Sequence, residues 1–182
     1  VATAKLNQPN PNTDLNPAKN VMNRLVALYQ KGQLEITIDK ALQLAKKFPH
    51  SPMLWNLMGA ANLGLKNTEE AETSFRKALR IQPNFPDGLN NLGAILKQQG
   101  KITAAFKAFK KATELDPNHA DAYNNLGLML CEESKFNEAI TVFKKALAAK
   151  PNYTAAYFNL GAVLHHQGRL KDAITAYNKV IS

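Results

Sequence analysis

The feature that most constrains this chain is a spacing of 34 residues between prolines, shown by Pro49, Pro83, Pro117 and Pro151. Each proline closes a segment in which apolar and small residues recur every three or four positions, a spacing that keeps one face of a helix apolar. A break divides each segment into two such helices. Because one pair of short amphipathic helices cannot bury its apolar faces alone, the chain must stack these units side by side.

Residues 120–151 show the repeating unit most clearly. Tyr123, Leu126 and Gly127 stand in its first helix. Ala139 and Phe143 stand in its second. These positions follow the pattern W-x2-L-G-x2-Y, then A-x3-F, then P, so the chain resembles the tetratricopeptide repeat (TPR) family. Three neighbouring segments fill the same positions: Trp55, Met58, Gly59, Ala71 and Phe75; Leu89, Leu92, Gly93, Ala105 and Phe109; and Tyr157, Leu160, Gly161, Ala173 and Tyr177. The resemblance implies an all-α fold, a right-handed α-solenoid of helix–turn–helix repeats.

The period divides the chain into an arm and five repeats. These are a flexible arm (1–17), a divergent first repeat (18–51), three regular repeats (52–85, 86–119 and 120–153) and an incomplete, uncapped fifth repeat (154–182). The arm is rich in Asn and Pro and shows no periodicity, so we expect a native linker or an expression remnant. The missing cap favours a fragment of a longer protein, because repeat arrays need a polar end for solubility.

The first repeat departs from the pattern of the others. Arg24 and Leu25 occupy the Leu-Gly positions, and Thr37 replaces the usual alanine. An atypical terminal repeat is expected, because its outer face meets water. The alternative is a plain helical hairpin that leans on the array.

Glycines recur at two positions of the unit and predict two structural roles. Glycine lies at the break between the helices in three units, at Gly32, Gly100 and Gly168. We expect a left-handed backbone there, and Asn67 is expected to adopt it where Lys66 holds the position. Glycines inside the first helices each cost up to about 1 kcal/mol relative to alanine. These are Gly59, Gly93, Gly127 and Gly161. We therefore expect close packing of the second helix, which carries equally small residues at Ala71, Ala105, Ala139 and Ala173.

Composition narrows the classes of function. The net charge is +9, and the basic pairs lie on the predicted second helices. The single cysteine, Cys131, excludes an internal disulfide and favours a reducing, cytoplasmic location. No apolar run reaches about 18 residues, so we expect no membrane span and no membrane partner. Cys131 and His165 share one repeat position, but a nucleophilic pair needs hydrogen-bond distance and an orienting group. We therefore predict no enzyme activity, no metal and no cofactor.

The resemblance also predicts where a ligand binds. In TPR arrays the first helices line a concave groove, and the second helices face outward. The predicted groove residues are Asn90, Asn91, Lys97, Asp121, Asn124, Asn125, Leu128, Phe158, Asn159 and His165. Asn91, Asn125 and Asn159 recur one period apart, so stacked repeats would place their amides in a ladder that can pair with an extended peptide. The alternative is that these amides only hydrogen-bond neighbouring helices.

These patterns favour a bacterial protein-interaction module that forms part of a larger protein and binds an extended peptide or a partner protein in its groove. The divergent first hairpin and the NNLG sequences at 90–93 and 124–127 resemble the TPR arms of bacterial O-linked N-acetylglucosamine transferase-like or sulfotransferase-like proteins. The first alternative is a structural scaffold that forms homo-oligomers through its uncapped C-terminal end. A less favoured alternative is nucleic-acid binding through the basic convex face. Met22, Val26 and Leu57 hold positions that are basic in chaperone-tail-binding TPRs, so that ligand is not expected.

Overall fold

The computed structural model describes residues 15–181, and these form ten helices arranged as five consecutive hairpins. The helices are α1 (Lys19–Gln30), α2 (Leu34–Lys47), α3 (Pro52–Gly64), α4 (Thr68–Ile81), α5 (Pro86–Gln98), α6 (Ile102–Leu115), α7 (Ala120–Glu132), α8 (Phe136–Ala149), α9 (Thr154–His166) and α10 (Leu170–Ile181). Each helix packs against the next one in the chain. The predicted all-α solenoid is confirmed.

The odd-numbered helices form one layer of the array, which we call the inner layer, and the even-numbered helices form the outer layer. Consecutive inner helices from α3 to α9 contact one another directly. Within residues 15–181, consecutive outer helices make no comparable contact. Because the inner helices are closer to their equivalents than the outer helices are, the array bends toward the inner layer.

Each regular hairpin is held together by a glycine that lies against an aromatic ring. A Cβ atom placed on Gly127 would lie only 2.5 Å from Cε1 of Phe143. The equivalent distances are 2.5 Å for Gly59 and Phe75, 2.8 Å for Gly93 and Phe109, and 2.6 Å for Gly161 and Tyr177. The predicted close contact with the second helix is confirmed. The nearest atoms belong to the aromatic rings, and not to the small alanines that the sequence suggested.

The first hairpin reverses the sizes of these two facing residues. Leu25 occupies the position of the glycine, and Ala41 occupies the position of the aromatic residue. Both are buried, with 2% and 0% of their surface exposed. They belong to a local core with residues of α3 that is separate from the main core of the later repeats. The divergent sequence thus keeps the facing positions of the repeat while exchanging which helix carries the large side chain.

The turn inside each hairpin uses one left-handed residue. Gly32, Gly100 and Gly168 have φ angles of +72°, +73° and +74°, as predicted. Lys66 and Ser134 adopt the same conformation, with φ of +65° and +58°. The expectation that Asn67 replaces Lys66 is wrong, since Asn67 has a φ of −81°.

Hydrogen bonding explains why the left-handed position cannot move along the chain. The N–H that follows the left-handed residue donates to a carbonyl in the last turn of the preceding helix, as Asn67 does to Asn62 at 2.9 Å. Lys101 donates to Leu96 at the same 2.9 Å. This hydrogen bond gives a partner to a carbonyl that would otherwise be free at the end of the helix. The residue just before the donating N–H must therefore adopt positive φ, whatever its type.

The N-terminal segment joins the array just before α1. The Ser51 hydroxyl donates to Oδ1 of Asn16 at 2.6 Å and also accepts a hydrogen bond from the Leu54 N–H at the start of α3. Pro17 is buried. Asn16 and Pro17 therefore belong to the packed array. Residues 1–14 of the predicted arm lie outside the described residues.

Candidate functional site

Three hydrogen bonds between asparagine side chains run along the inner layer. Nδ2 of Asn91 donates to Oδ1 of Asn56 at 3.0 Å. Asn125 donates to Asn90 and Asn159 donates to Asn124, both at 2.9 Å. Each bond joins residues that are 35 positions apart and so links one repeat to the next. We call these three bonds the amide ladder.

In two of the three rungs the acceptor is less exposed than the donor, while Asn56 and Asn91 of the first rung are both partly exposed. The acceptors Asn90 and Asn124 are buried, with 8% and 6% of their surface exposed. The donors Asn91, Asn125 and Asn159 remain partly exposed. An Asn amide has two N–H hydrogens and a carbonyl oxygen, and each donor uses one hydrogen in its rung. The ladder therefore fixes the stacking of the repeats and still leaves polar atoms at the surface of the inner layer.

Apolar residues bound the ladder at both ends. Between the first and second repeats, the positions of a rung hold Met22 and Leu57, which are both buried in the same local core. In the fifth repeat Phe158 holds the acceptor position and is 56% exposed. Its ring centroid lies 5.9 Å from that of Tyr177. The polar part of the inner layer thus extends from α3 to α9.

An ion pair crosses the inner layer near the ends of helices α5 and α7. Nζ of Lys97 lies 2.7 Å from Oε1 of Glu132, again between neighbouring repeats. Both side chains are partly exposed, so water screens the pair and its contribution to stability is about 0–1 kcal/mol. The positive charge of the predicted groove residue Lys97 is balanced within the groove.

A second row of polar contacts lies at the beginnings of the inner helices. Nε2 of the half-buried His119 lies 3.2 Å from Oδ1 of Asp87, while its Nδ1 accepts the Ala122 N–H at 3.2 Å. Contact with the Asp87 carboxylate raises the pKa of His119 above its usual value, against the opposing effect of burial. One repeat later, burial and a hydrogen bond to Asp121 raise the pKa of Tyr153.

Sequence reasoning missed His119 and Tyr153 as inner-layer residues. The signal that could have found them is periodic, because these residues are one period apart and so are Asp87 and Asp121. An aromatic or imidazole group just before one inner helix therefore faces an aspartate on the inner helix before it. The two aspartates, Asp87 and Asp121, hold repeat positions that the sequence predicted to face the groove.

The remaining predicted groove residues occupy different environments. Leu128 is partly buried against the main core, and His165 is exposed. The neighbouring His166 is the histidine that lies against an aromatic ring, with its centroid 4.4 Å from that of Phe136. Burial raises the pKa of the Cys131 thiol, which lowers the fraction of reactive thiolate at neutral pH. Within the described residues, no cluster of three or more acidic, His or Cys side chains could hold a metal ion.

The basic pairs noted in the sequence lie on the outer helices α2, α4, α6 and α8. Some of them contact other groups of the array. Nζ of Lys77 lies 3.5 Å from the centroid of the Trp55 ring, and Lys110 lies 3.9 Å from Glu114. The longest helices have 14 residues. A membrane-spanning helix needs about 20 residues, and no helix in the described part of the chain could cross a bilayer.

Hairpins that stack in one direction, with an inner layer carrying a polar ladder, define a helical-repeat solenoid. Proteins of this class present an extended inner surface along the array. A family profile described as TPR repeat matches residues 65–100, 93–130 and 127–168, and one described as tetratricopeptide repeat matches residues 155–182. These matches cover more than half of the chain, and the protein belongs to the tetratricopeptide repeat family.

Several solved structures share this fold. The pilF protein of Pseudomonas aeruginosa is 20% identical, with a TM-score of 0.79 over 89% of this chain and 74% of that chain. MamA of Desulfovibrio magneticus RS-1 is 24% identical, with a TM-score of 0.68 over 90% of this chain and 93% of that chain. YrrB, described as a TPR protein with an unusual peptide-binding site, is 22% identical, with a TM-score of 0.62 over 91% and 85%. No curated protein matches the chain.

Proposed function

We propose that this chain is a protein-interaction module that binds an extended peptide or a segment of a partner protein along its inner layer. The observation that carries the proposal is the row of partly exposed donors of the amide ladder, Asn91, Asn125 and Asn159. Each keeps an N–H hydrogen and, among the described residues, a carbonyl oxygen outside the rung. A peptide backbone offers the matching donors and acceptors in every residue, so the ladder can bind it with little dependence on its sequence.

Side chains beside the ladder would set the preference for particular ligands. Asp121 on α7 and His165 on α9 are exposed, and these helices also carry ladder donors. Phe158 offers an apolar surface at the end of the ladder. Such a surface suits a peptide with an apolar residue that can pack on Phe158. The peptide-binding site named for the solved relative YrrB supports this class of ligand.

The proposed role as part of a larger protein rests on the resemblance of the NNLG sequences to the transferase arms described above. The chain would then act as the recognition arm of an attached domain. The attached domain is a separate proposal from peptide binding by the inner layer.

The test must separate binding from stability, because the ladder also holds the repeats together. Replacing Asn125 alone with alanine leaves the buried carbonyl of Asn90 without its donor, which costs about 1–3 kcal/mol. The chain itself offers a better design, since the rung between its first two repeats is replaced by Met22 and Leu57. The double variant Asn90→Met/Asn125→Leu copies that apolar pair and removes both amides.

Peptides selected on an array by the unchanged chain serve as the probe, and their affinity is measured by fluorescence anisotropy. We expect the double variant to keep its helicity and to bind these peptides at least tenfold more weakly, a loss of about 1.4 kcal/mol. Asn152→Leu, at an exposed turn residue outside the ladder, is the control and should bind normally. Equal affinity of the double variant and the unchanged chain would refute peptide binding through the ladder.

A second candidate function, self-association, is favoured by the apolar surface of the last hairpin. Phe158, Leu170 and Ile174 have 56%, 55% and 59% of their surface exposed. Several large exposed apolar side chains on one hairpin are typical of an interaction surface. Light scattering over a range of protein concentrations tests the candidate, and a constant monomer mass would exclude it.

A further inference from the structure

The first hairpin carries a groove that is lined by its own two helices and by no described residue of the second repeat. The groove lies between α1 and α2 and has a volume of about 660 Å³. Val21, Leu25, Leu28 and Leu44 form its apolar surface. We call it the first-hairpin groove, and it is separate from the amide ladder on the inner layer.

Later repeats show what kind of element fits such a groove. In the second repeat, Met58, Asn62 and Ser74 occupy the repeat positions of Arg24, Leu28 and Lys40. Those second-repeat residues lie at a junction with Ile38 and Leu42 of the outer helix α2, which packs against α3. The outer helices α4, α6 and α8 pack in the same order against the repeats that follow them. In every later repeat the equivalent surface is therefore bordered by the amphipathic outer helix of the repeat before it.

The charges of the first-hairpin groove differ from those of the later repeats. Arg24, Lys31, Lys40 and Lys47 line it, and no carboxylate does so among the described residues. None of these four cations forms an ion pair with a described residue. At the position of Arg24 the later repeats carry buried Met58, Leu92, Leu126 and Leu160. At the position of Lys40 they carry Ser74, Ala108, Val142 and Ala176.

These differences between the first repeat and the later repeats determine which kind of helix can bind in the groove. An outer helix that places only apolar or basic residues at the junction, as α2 does with Ile38 and Leu42, would cover Arg24 and Lys40 without a counter-charge. An unpaired charge is costly to bury. A helix with an apolar stripe flanked by carboxylates would cover the leucines and pair with the four cations. We propose that the first-hairpin groove binds an acidic amphipathic helix of a partner protein.

The probe for this proposal is a synthetic 18-residue helical peptide with leucine along one face and glutamate on both sides of that face. Its binding to the full chain is measured by fluorescence anisotropy at two salt concentrations. We expect saturable binding that weakens as salt rises, because the flanking ion pairs are screened. A matched peptide in which each glutamate is replaced by lysine should bind at least tenfold more weakly.

Charge reversal in the chain supplies the decisive comparison. Arg24→Glu/Lys40→Glu should weaken the acidic peptide at least tenfold and should restore binding of the lysine peptide. Lys107→Glu/Lys111→Glu makes the same change in net charge on exposed residues of α6 and should bind as the unchanged chain does. Circular dichroism checks that all variants keep their helices. Equal effects of the two double variants, or no binding of the acidic peptide, would overturn the proposal.

Related measurements would show whether the groove is occupied by a second copy of the chain or by its own N-terminal segment. If the full chain forms dimers that Arg24→Glu dissociates, the groove is covered by a second copy. If the acidic peptide binds only after residues 1–14 are removed, the groove belongs to the chain's own N-terminal segment. Either result overturns the assignment to a partner protein. The Asn90→Met/Asn125→Leu variant keeps this groove intact, so failure of the ladder proposal leaves this test unaffected.

Discussion

At the scale of single residues, each hairpin is defined by one small residue facing one large residue. Gly127 allows the buried ring of Phe143 to lie directly on the backbone of α7. In the first hairpin the large residue is on the first helix and the small residue is on the second, with Leu25 on α1 and Ala41 on α2. Since both arrangements are found in one chain, the total volume at this position matters more than which helix carries it.

The first prediction follows from this exchange of sizes. Gly127→Leu should lower the free energy of unfolding by about 1–3 kcal/mol, because the new side chain overpacks the space that the Phe143 ring already fills. Phe143→Ala alone should cost about 3–5 kcal/mol by leaving a cavity. The two changes together copy the Leu25–Ala41 pair, so their combined cost should be smaller than the sum of the single costs. Urea denaturation of the four proteins measures this coupling.

Additive costs in that cycle would contradict the assignment of the first hairpin as a size-exchanged repeat. They would indicate that Leu25 and Ala41 depend on other features of the local core, such as Met22 and Met58. An unchanged thermal midpoint for Gly127→Leu would contradict the packing of α7 against α8 itself.

At the scale of the element, the hairpin turn is set by helix-end hydrogen bonds and tolerates different residue types. Lys66 and Ser134 adopt the left-handed conformation that glycine adopts in the other three hairpins. For residues with a Cβ atom this conformation costs roughly 1–2 kcal/mol. The closing hydrogen bond and the packing of the helices offset that cost, so the turn keeps its geometry without glycine.

The second prediction concerns these two strained turns. Lys66→Gly should raise the free energy of unfolding by up to about 1 kcal/mol, because relief of the backbone strain exceeds the entropy that glycine adds to the unfolded chain. Lys135→Gly, at a turn residue with negative φ, is the matched control and should give no gain. Chemical denaturation measures both variants. A Lys66→Gly protein less stable than the unchanged chain would show that the left-handed backbone carries little strain here.

At the scale of the whole molecule, each repeat is stabilised by its contacts with the neighbouring repeats. The main core runs from α4 to α10, while the first hairpin shares a separate local core with α3. Interior hairpins are packed on both sides, but the first hairpin contacts a described neighbour on one side only. A solenoid of this kind gains its stability from contacts between adjacent repeats.

The third prediction is a gradient of local stability along the array. Backbone amides of α1 and α2 should exchange with solvent hydrogen faster than those of α5 to α8, because opening the first hairpin breaks the contacts of one neighbour only. Hydrogen exchange followed by mass spectrometry measures this gradient peptide by peptide. Protection of α1 equal to that of α7 would show that the array unfolds as one cooperative unit.

The sequence alone determined the features that arise within one repeat. The 34-residue period, the paired helices, the close glycines and the left-handed glycine turns all follow from side-chain spacing and backbone sterics, which act over a few residues. The structure confirmed these features. The expectation for Asn67 was wrong because it relied on the preference of asparagine for the left-handed conformation. The hydrogen bond that closes the turn determines which residue adopts that conformation, and it selects Lys66.

Only the tertiary structure decided how one repeat meets the next. The sequence predicted that Asn91, Asn125 and Asn159 align in a ladder, and it left hydrogen bonds to neighbouring helices as the alternative. The structure shows such bonds, from Asn91 to Asn56 and from Asn125 to Asn90, and it buries the acceptor at Asn90. The pairing depends on the shift and angle at which neighbouring hairpins stack, and these quantities arise from contacts between repeats. A pattern within one repeat carries no measure of that shift, so the partners of the groove residues became visible only in the folded array.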